Sequence, residues 1–225
     1  LVGWDFSDDP ESAAPTVFQA VYREFALLVF ADELSEELAK KMLAVWYFCH
    51  ERLQHMVLEG QSSWFDNILT ADRRETRDDL FHQAGLNAIK NLEAKLGNNP
   101  DNWQWGQVHR HDFLSPIRRS GAGKDSLGGG SHPAAGSGET LYRGIYDFNL
   151  PFKITVSAAL RMVVDMDDPD KILAVLPGGV AGRQFDPHTT DQVEPFMNGD
   201  KLYWWFSDRA IKEHTRHTLT LKPGS

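Results

Sequence analysis

The stretch that decides the fold runs Arg161-Met162-Val163-Val164-Asp165, then Ile172-Leu173-Ala174-Val175-Leu176-Pro177-Gly178-Gly179-Val180-Ala181-Gly182, then Asp186-Pro187-His188 and Asp191-Gln192. Two short apolar runs, the second closed by Pro-Gly-Gly, read as strands and a tight turn. Glycines in such a turn permit positive φ and close backbone approach. Ile154-Thr155-Val156 reads as a strand before them, and Leu202-Tyr203-Trp204-Trp205-Phe206 as an aromatic strand after them. Asp208 to His214 reads as a short helix, and His217-Thr218-Leu219-Thr220-Leu221 alternates as a final strand.

Upstream the period changes from strand to helix. Leu80, Ala84, Ala88, Leu92 and Leu96 recur every four residues, flanked by Phe81 and Ile89, which predicts a helix from about Thr76 to Leu96. Gly97 is placed to cap it with a left-handed residue. Ser12 precedes a helical face of Val17, Phe18, Val21, Tyr22, Phe25 and Leu28. Ser35 caps a second helix, with Glu36 and Glu37 in its first turn and Leu38, Met42, Leu43, Val45 and Trp46 inward. Leu53, Met56, Val57 and Leu58 form a third apolar group ending at Gly60. Helices first and strands later predict α+β. The expected division is a helical segment 1–105, a glycine-rich connecting region 106–138 and a β-rich segment 139–225. Ser120 to Gly138 reads as a loop by composition.

Composition narrows the function classes. The chain has 225 residues, 41% of them apolar, and a net charge of −9. That charge argues against a nucleic-acid surface, which needs clustered Lys and Arg. The short basic pair Arg118-Arg119 reads as solvated loop charge. Cys49 is the one cysteine, set among Trp46, Phe48 and Leu53, and reads as buried packing. No apolar run approaches the ~20 residues that span a bilayer, and none has signal-peptide character. The chain opens at Leu1-Val2-Gly3-Trp4-Asp5, so its true start is expected upstream.

Several constellations could carry chemistry. His109 and His111, two apart, would share a strand face as metal ligands can. With no third ligand at a recognised spacing, they also read as two polar, partly exposed residues beside Arg110. Gly178–Gly182 lacks the Lys-Ser/Thr of a phosphate loop and reads as a turn. Asp186, His188 and Asp191 could form a carboxylate–imidazole pair, or simply bond the local backbone. Ser157 and Ser207 lack a nucleophile elbow. Asp165, Asp167 and Asp168 could offer oxygens to calcium, but without EF-hand spacing they read as a solvated turn. Glu139-Thr140 places a carboxylate where the glycine-rich loop ends.

In order and spacing these motifs resemble the C-terminal part of the β chain of the penicillin amidase family. Trp4-Asp5 resembles that family's opening Trp-Asp, and Trp103, Trp105, Gly106 and His109 its Trp-x-Trp-Gly-x-x-His element, with Pro116 as the proline that follows. The strand ending Val164-Asp165, the Pro177-Gly178-Gly179-x-x-Gly182 turn, Pro187-His188 and Asp191-Gln192 complete the likeness. The resemblance implies an N-terminal-nucleophile hydrolase with an αββα core, made as a precursor and working in the periplasm or outside the cell. Its N-terminal serine would attack an acyl side-chain amide and would lie upstream of Leu1, as would any calcium ligands. This segment would then hold no cofactor, would be inactive alone, and would self-associate through exposed apolar surface. Its partners would be the upstream part of the same precursor, meaning the α chain and the N-terminal β-chain region, and a small-molecule amide. The resemblance implies an auxiliary catalytic role for Glu139, holding the nucleophile's α-amine. Val180-Ala181, Asp186, Thr189 and Phe196 depart from the family's usual polar turn, Ser-Pro-His-Tyr and Trp. The rival reading is a binding module with Trp103, Trp105, Trp204 and Trp205 as an aromatic surface.

Overall fold

The computed structural model of the chain describes residues 1–45, 47–115, 127–183 and 185–223, with all their side chains except those of Glu36, Tyr47 and Phe48. Trp46, Pro116, Arg118-Arg119, the Ser120–Ser126 part of the glycine-rich stretch, and the side chains of Glu36 and Phe48 lie outside the described residues. Two compact units emerge, Leu1–Asp112 with Ser131–Ser157, and Phe113–Gly130 with Ala158–Ser225. Among the described residues no helix is long and apolar enough to cross a membrane.

The first unit is mainly helical. Helix α1 (Ala14–Phe30) opens with Pro15 in its first turn, where the missing N–H costs nothing. Its inner face is Ala20, Phe25, Ala26, Val29 and Phe30, whereas Phe18 points outward, 42% exposed. Helix α2 (Glu36–Ala44) is capped by Ser35, whose side chain accepts from the Leu38 N–H. A helix this short turns one row inward. Leu43 is buried, while Leu38 and Val45 are exposed rather than inward. Helix α3 (Tyr47–Glu59) buries Leu53 and Met56 and leaves Leu58 outside. Helix α4 (Arg77–Leu96) begins with a reciprocal capping box between Thr76 and Asp79. Leu80, Ala84, Ala88 and Leu92 form its buried stripe. Gly97 has the expected positive φ, but its ψ of 172° puts it in a glycine-only extended region instead of the left-handed helix.

The Trp-x-Trp-Gly-x-x-His element is a packing hub around α5 (Trp105–Val108). Trp103 donates its indole N–H to the Gly97 carbonyl at 2.8 Å, and Trp105 donates to the Gly136 carbonyl at 2.8 Å. A Cβ at Gly106 would sit 2.7 Å from Pro133 and 2.9 Å from Pro10, so only glycine fits. His109 stacks on Trp105 with centroids 4.3 Å apart. Strand β1 (Arg110–Leu114) pairs with β2 (Gly128–Pro133), and β3 (Gly144–Tyr146) pairs antiparallel with β4 (Ile154–Ser157).

The second unit carries a three-stranded antiparallel sheet of β5 (Arg161–Val163), β6 (Ile172–Val175) and, after helix α6 (Val193–Asn198), β7 (Leu202–Trp204). Met162 stands opposite Ala174, and Ala174 opposite Leu202. Helix α7 (Asp208–His214) is the last helix or strand among the described residues. The motif residues hold this unit together. Arg161 lies 3.9 Å from the Phe196 ring centroid and donates to the Phe196 carbonyl. Gln192 accepts the Leu176 N–H at 2.9 Å through its side chain and donates its own N–H to Gly178 at 2.8 Å. A Cβ at Gly179 would stand 2.2 Å from the His188 carbonyl oxygen, which explains the glycine.

Two further expectations change. Residues 217–221 form no strand, because among the described residues the alternating run has no neighbour to pair with, and Leu219 and Leu221 are more than four-fifths exposed. The glycine-rich stretch contains strand β2 where a loop was expected, since pairing with β1 supplies the order its composition does not. Strands β1 and β3 and helix α6 have no strong periodic signature of their own.

Candidate functional site

Glu139 lies on a cleft of about 260 Å³ in the first unit. Four parts of the chain build it. The N-terminal turn brings Trp4, Phe6 and Asp8, helix α1 brings Phe18, Gln19 and Tyr22, and His50 comes from α3. The segment carrying Glu139 is anchored by a Gly136 N–H bond to the Asp8 carbonyl at 3.0 Å. Gly136 has φ +81°, and a Cβ there would stand 2.1 Å from the Tyr142 carbonyl oxygen. Thr140 Oγ1 accepts the Ser137 N–H at 2.8 Å, which turns the chain and presents Glu139 to solvent.

One wall is aromatic. Trp4 lies 5.4 Å from Phe6 and 5.5 Å from Phe18, and Phe18 stacks on Tyr22 at 6.3 Å. The rest is polar. Tyr22 and His50 Nδ1 share a hydrogen bond, and buried Gln19 accepts from the Tyr146 hydroxyl at 2.7 Å. Burial pushes the Asp8 carboxyl above its ordinary range, and a hydrogen bond with Ser137 draws it partly back. Burial, then the charges of Cys49 and Glu139, push the Tyr22 phenol up, so it stays protonated. Two carboxylates, a phenol and an imidazole beside an aromatic wall can hold a cationic or amine group and control its proton. Asp8, Tyr22 and His50 carry no sequence signal that singled them out. They come from three separate elements, and only folding gathers them.

The other candidates resolve into structure. His109 is fully buried and His111 nearly so, which corrects the expectation of partly exposed residues. His109 Nδ1 bonds the Phe152 carbonyl at 2.9 Å, while its Nε2 has no partner among the described residues, and burial pushes the ring down to about 4. Among the described residues no group of three or more His, Cys, Asp or Glu could hold a metal. His188 Nδ1 and Asp191 meet at 2.7 Å in the open, and Asp191 raises the imidazole's proton affinity. The local backbone is capped by Asp186, which accepts the His188 N–H at 2.9 Å. Ser207 caps α7 and donates to Asp170 at 2.7 Å. Asp165 and Asp168 accept neighbouring backbone N–H groups. Trp103 and Trp105 are core residues, so the four-tryptophan surface does not exist, although Trp204 is partly exposed. Cys49 is half-buried, and burial raises its thiol pKa, in keeping with packing.

The chain is thus an α+β segment whose packing motifs surround an acidic, aromatic cleft. The penicillin amidase model matches residues 1–213, and the chain belongs to that family. It is similar to the acyl-homoserine lactone acylase QuiP of Pseudomonas syringae pv. tomato, 24% identical over 236 residues that cover all of this chain and 28% of that protein. The acyl-homoserine lactone acylase QuiP of Pseudomonas aeruginosa is 23% identical, covering 99% of this chain and 28% of that protein. The chain thus spans just over a quarter of the length of the relatives it matches. Among solved structures, a thermostable penicillin G acylase from Alcaligenes faecalis shares the fold with a TM-score of 0.51 at 15% identity, over 95% of this chain and 39% of that one.

Proposed function

We propose that this chain is the C-terminal part of a penicillin-amidase-like hydrolase that cleaves an acyl side-chain amide through an N-terminal serine located upstream of Leu1. The serine hydroxyl attacks the amide carbonyl, its own α-amine takes the proton and passes it to the leaving amine, and water then hydrolyses the seryl ester. Glu139 is an auxiliary residue that holds the α-amine and tunes its proton affinity, with Asp8 behind it. The single observation that carries the reading is the cleft itself, which sets Glu139 and Asp8 beside an aromatic wall in a chain matched to the family over residues 1–213. The acyl-homoserine lactone acylases among its relatives make acylated amines with an apolar acyl chain the first substrates to screen. On this reading the segment is inactive by itself, its partner is the upstream part of the same precursor, and the enzyme works in the periplasm or outside the cell.

The test uses protein expressed from the complete gene. Glu139→Gln is expected to slow turnover more than tenfold with the melting temperature unchanged. Unaltered kinetics would remove Glu139 from the mechanism. Intact-mass and N-terminal analysis tests the wider reading, which requires a mature chain that begins with serine and contains this segment. A mature polypeptide that begins near Leu1, with no partner chain, overturns it.

A further inference from the structure

Helices α1 and α4 enclose a recess of about 280 Å³ in the helical unit, closed on one side by Phe152. Ala20 and Ala88 line it, and their small side chains leave the space open. At ~30 Å³ of liquid per water, it has room for roughly nine waters, and so for a ligand of about that many non-hydrogen atoms.

Phe152 has φ +73°, a conformation that costs a non-glycine residue of order 1–3 kcal/mol and persists only where the surroundings impose it. Here they do. The ring packs edge-on at 5.6 Å from Trp105 and 5.5 Å from Tyr146, and the Phe152 carbonyl accepts from His109.

The charges around the recess do not cancel. Arg23 donates through Nε to the Phe148 carbonyl at 2.6 Å and through Nη1 to Glu24 at 2.5 Å. Glu24 also accepts from the Asn91 amide at 3.1 Å, so its carboxylate is committed to partners already present. Lys95 differs. Its ammonium sits 5.5 Å from the Phe152 ring centroid, and among the described residues it forms no ion pair. Burial, then the Arg23 charge, lower its proton affinity. The C-terminal dipole of α4 accounts for a cation in the last turn. It does not account for one placed over a buried ring at the mouth of an open recess.

We propose that this recess is a binding site for a small organic monoanion, with its carboxylate on Lys95 and a flat or short apolar body against Phe152 and between Ala20 and Ala88. One uncompensated positive charge selects a monoanion, and the apolar floor selects against bare inorganic ions. The site stands whether or not the hydrolase reading does.

The test probe is 4-bromobenzoate, titrated calorimetrically into protein from the complete gene and co-crystallised for anomalous diffraction at the bromine edge. A bromine peak between Phe152 and Ala88 is expected. Lys95→Gln should weaken binding at least tenfold and Lys95→Arg should restore it to within threefold of wild type. The neutral 4-bromobenzamide should not bind. Crystals that show bromine only elsewhere overturn the site without recourse to any variant. Equal affinity in Lys95→Gln, or equal binding of the benzamide, overturns the charge recognition. Complete displacement by an equal concentration of inorganic phosphate means an adventitious anion spot only, and likewise overturns the proposal.

Discussion

His109 shows most sharply how one residue is set by its surroundings. Its ring is wholly buried between Trp105 and the wall that includes Gly144, with one nitrogen bonded to Phe152 and the other unpartnered among the described residues. Burying an unpaired acceptor is tolerable in a neutral imidazole, but protonation there would place a charge in an apolar core. The ring's proton affinity falls from 6.5 to about 4 for that reason. Between those values the unfolded chain binds a proton that the folded chain refuses, so stability rises with pH. The contribution is fully present above pH 6.5 and is lost as pH falls through about 4. By linkage it is worth about 3 kcal/mol. His109→Phe should therefore flatten the stability profile between pH 4 and 6.5 in urea melts. It should also cost about 1–3 kcal/mol at pH 7, because the Phe152 carbonyl loses its donor. A variant with the same slope as wild type would show that another group governs the acid limb.

At the scale of elements, α4 was legible and the small strands were not. Its stripe of Leu80, Ala84, Ala88 and Leu92 repeats every four residues, and its cap is a local pattern, Thr76 with Asp79, that needs no tertiary partner. Strand β3 is three residues, Gly144-Ile145-Tyr146, too short to show a period. It is made a strand by pairing with β4, Ile145 opposite Val156. Gly144 is part of that device. A Cβ there would stand 2.7 Å from His109 Nε2 and 2.9 Å from Ile154. Gly144→Ala should then destabilise the protein by about 1–3 kcal/mol, the usual penalty of overpacking. Thermal melts give the measurement, and an unchanged midpoint would mean that the two neighbours yield. The converse case is residues 217–221, whose alternation looks like a strand but finds no ladder. Period two states which face a strand would show, not whether a partner exists.

At the scale of the whole molecule, the sheet of the second unit presents large, half-exposed apolar side chains. Met162, Ala174 and Leu202 stand opposite one another and so share a face, as Ile172 and Trp204 do beside them. Ala174 is buried by its neighbours, while Met162 is 50%, Leu202 44% and Trp204 38% exposed. A contiguous apolar face of this kind is an association surface. The 225-residue chain by itself should therefore self-associate, and sedimentation velocity should show larger species as concentration rises. Leu202→Glu should return it to monomer, because an unpaired carboxylate in such a contact is costly. A chain that stays monomeric at every concentration would remove the prediction.

Periodicity and punctuation in the sequence determined the α+β class, the long helices, the strands at 154–157, 161–163 and 172–175, and the helix Asp208–His214. Those features rest on contacts within a few residues, which a linear pattern records. The motifs determined the family, and the reason lies in packing: Trp103, Trp105, Gly106, His109, Arg161, Gly179 and Gln192 each fill a place that few other residues fit. Tertiary structure alone decided which polar groups distant in sequence meet. Asp8, Tyr22 and His50 gather around Glu139 from three elements, and Lys95 comes to lie over Phe152 across 57 positions of chain. Such pairings depend on how helices cross and where turns return, and no local pattern encodes them.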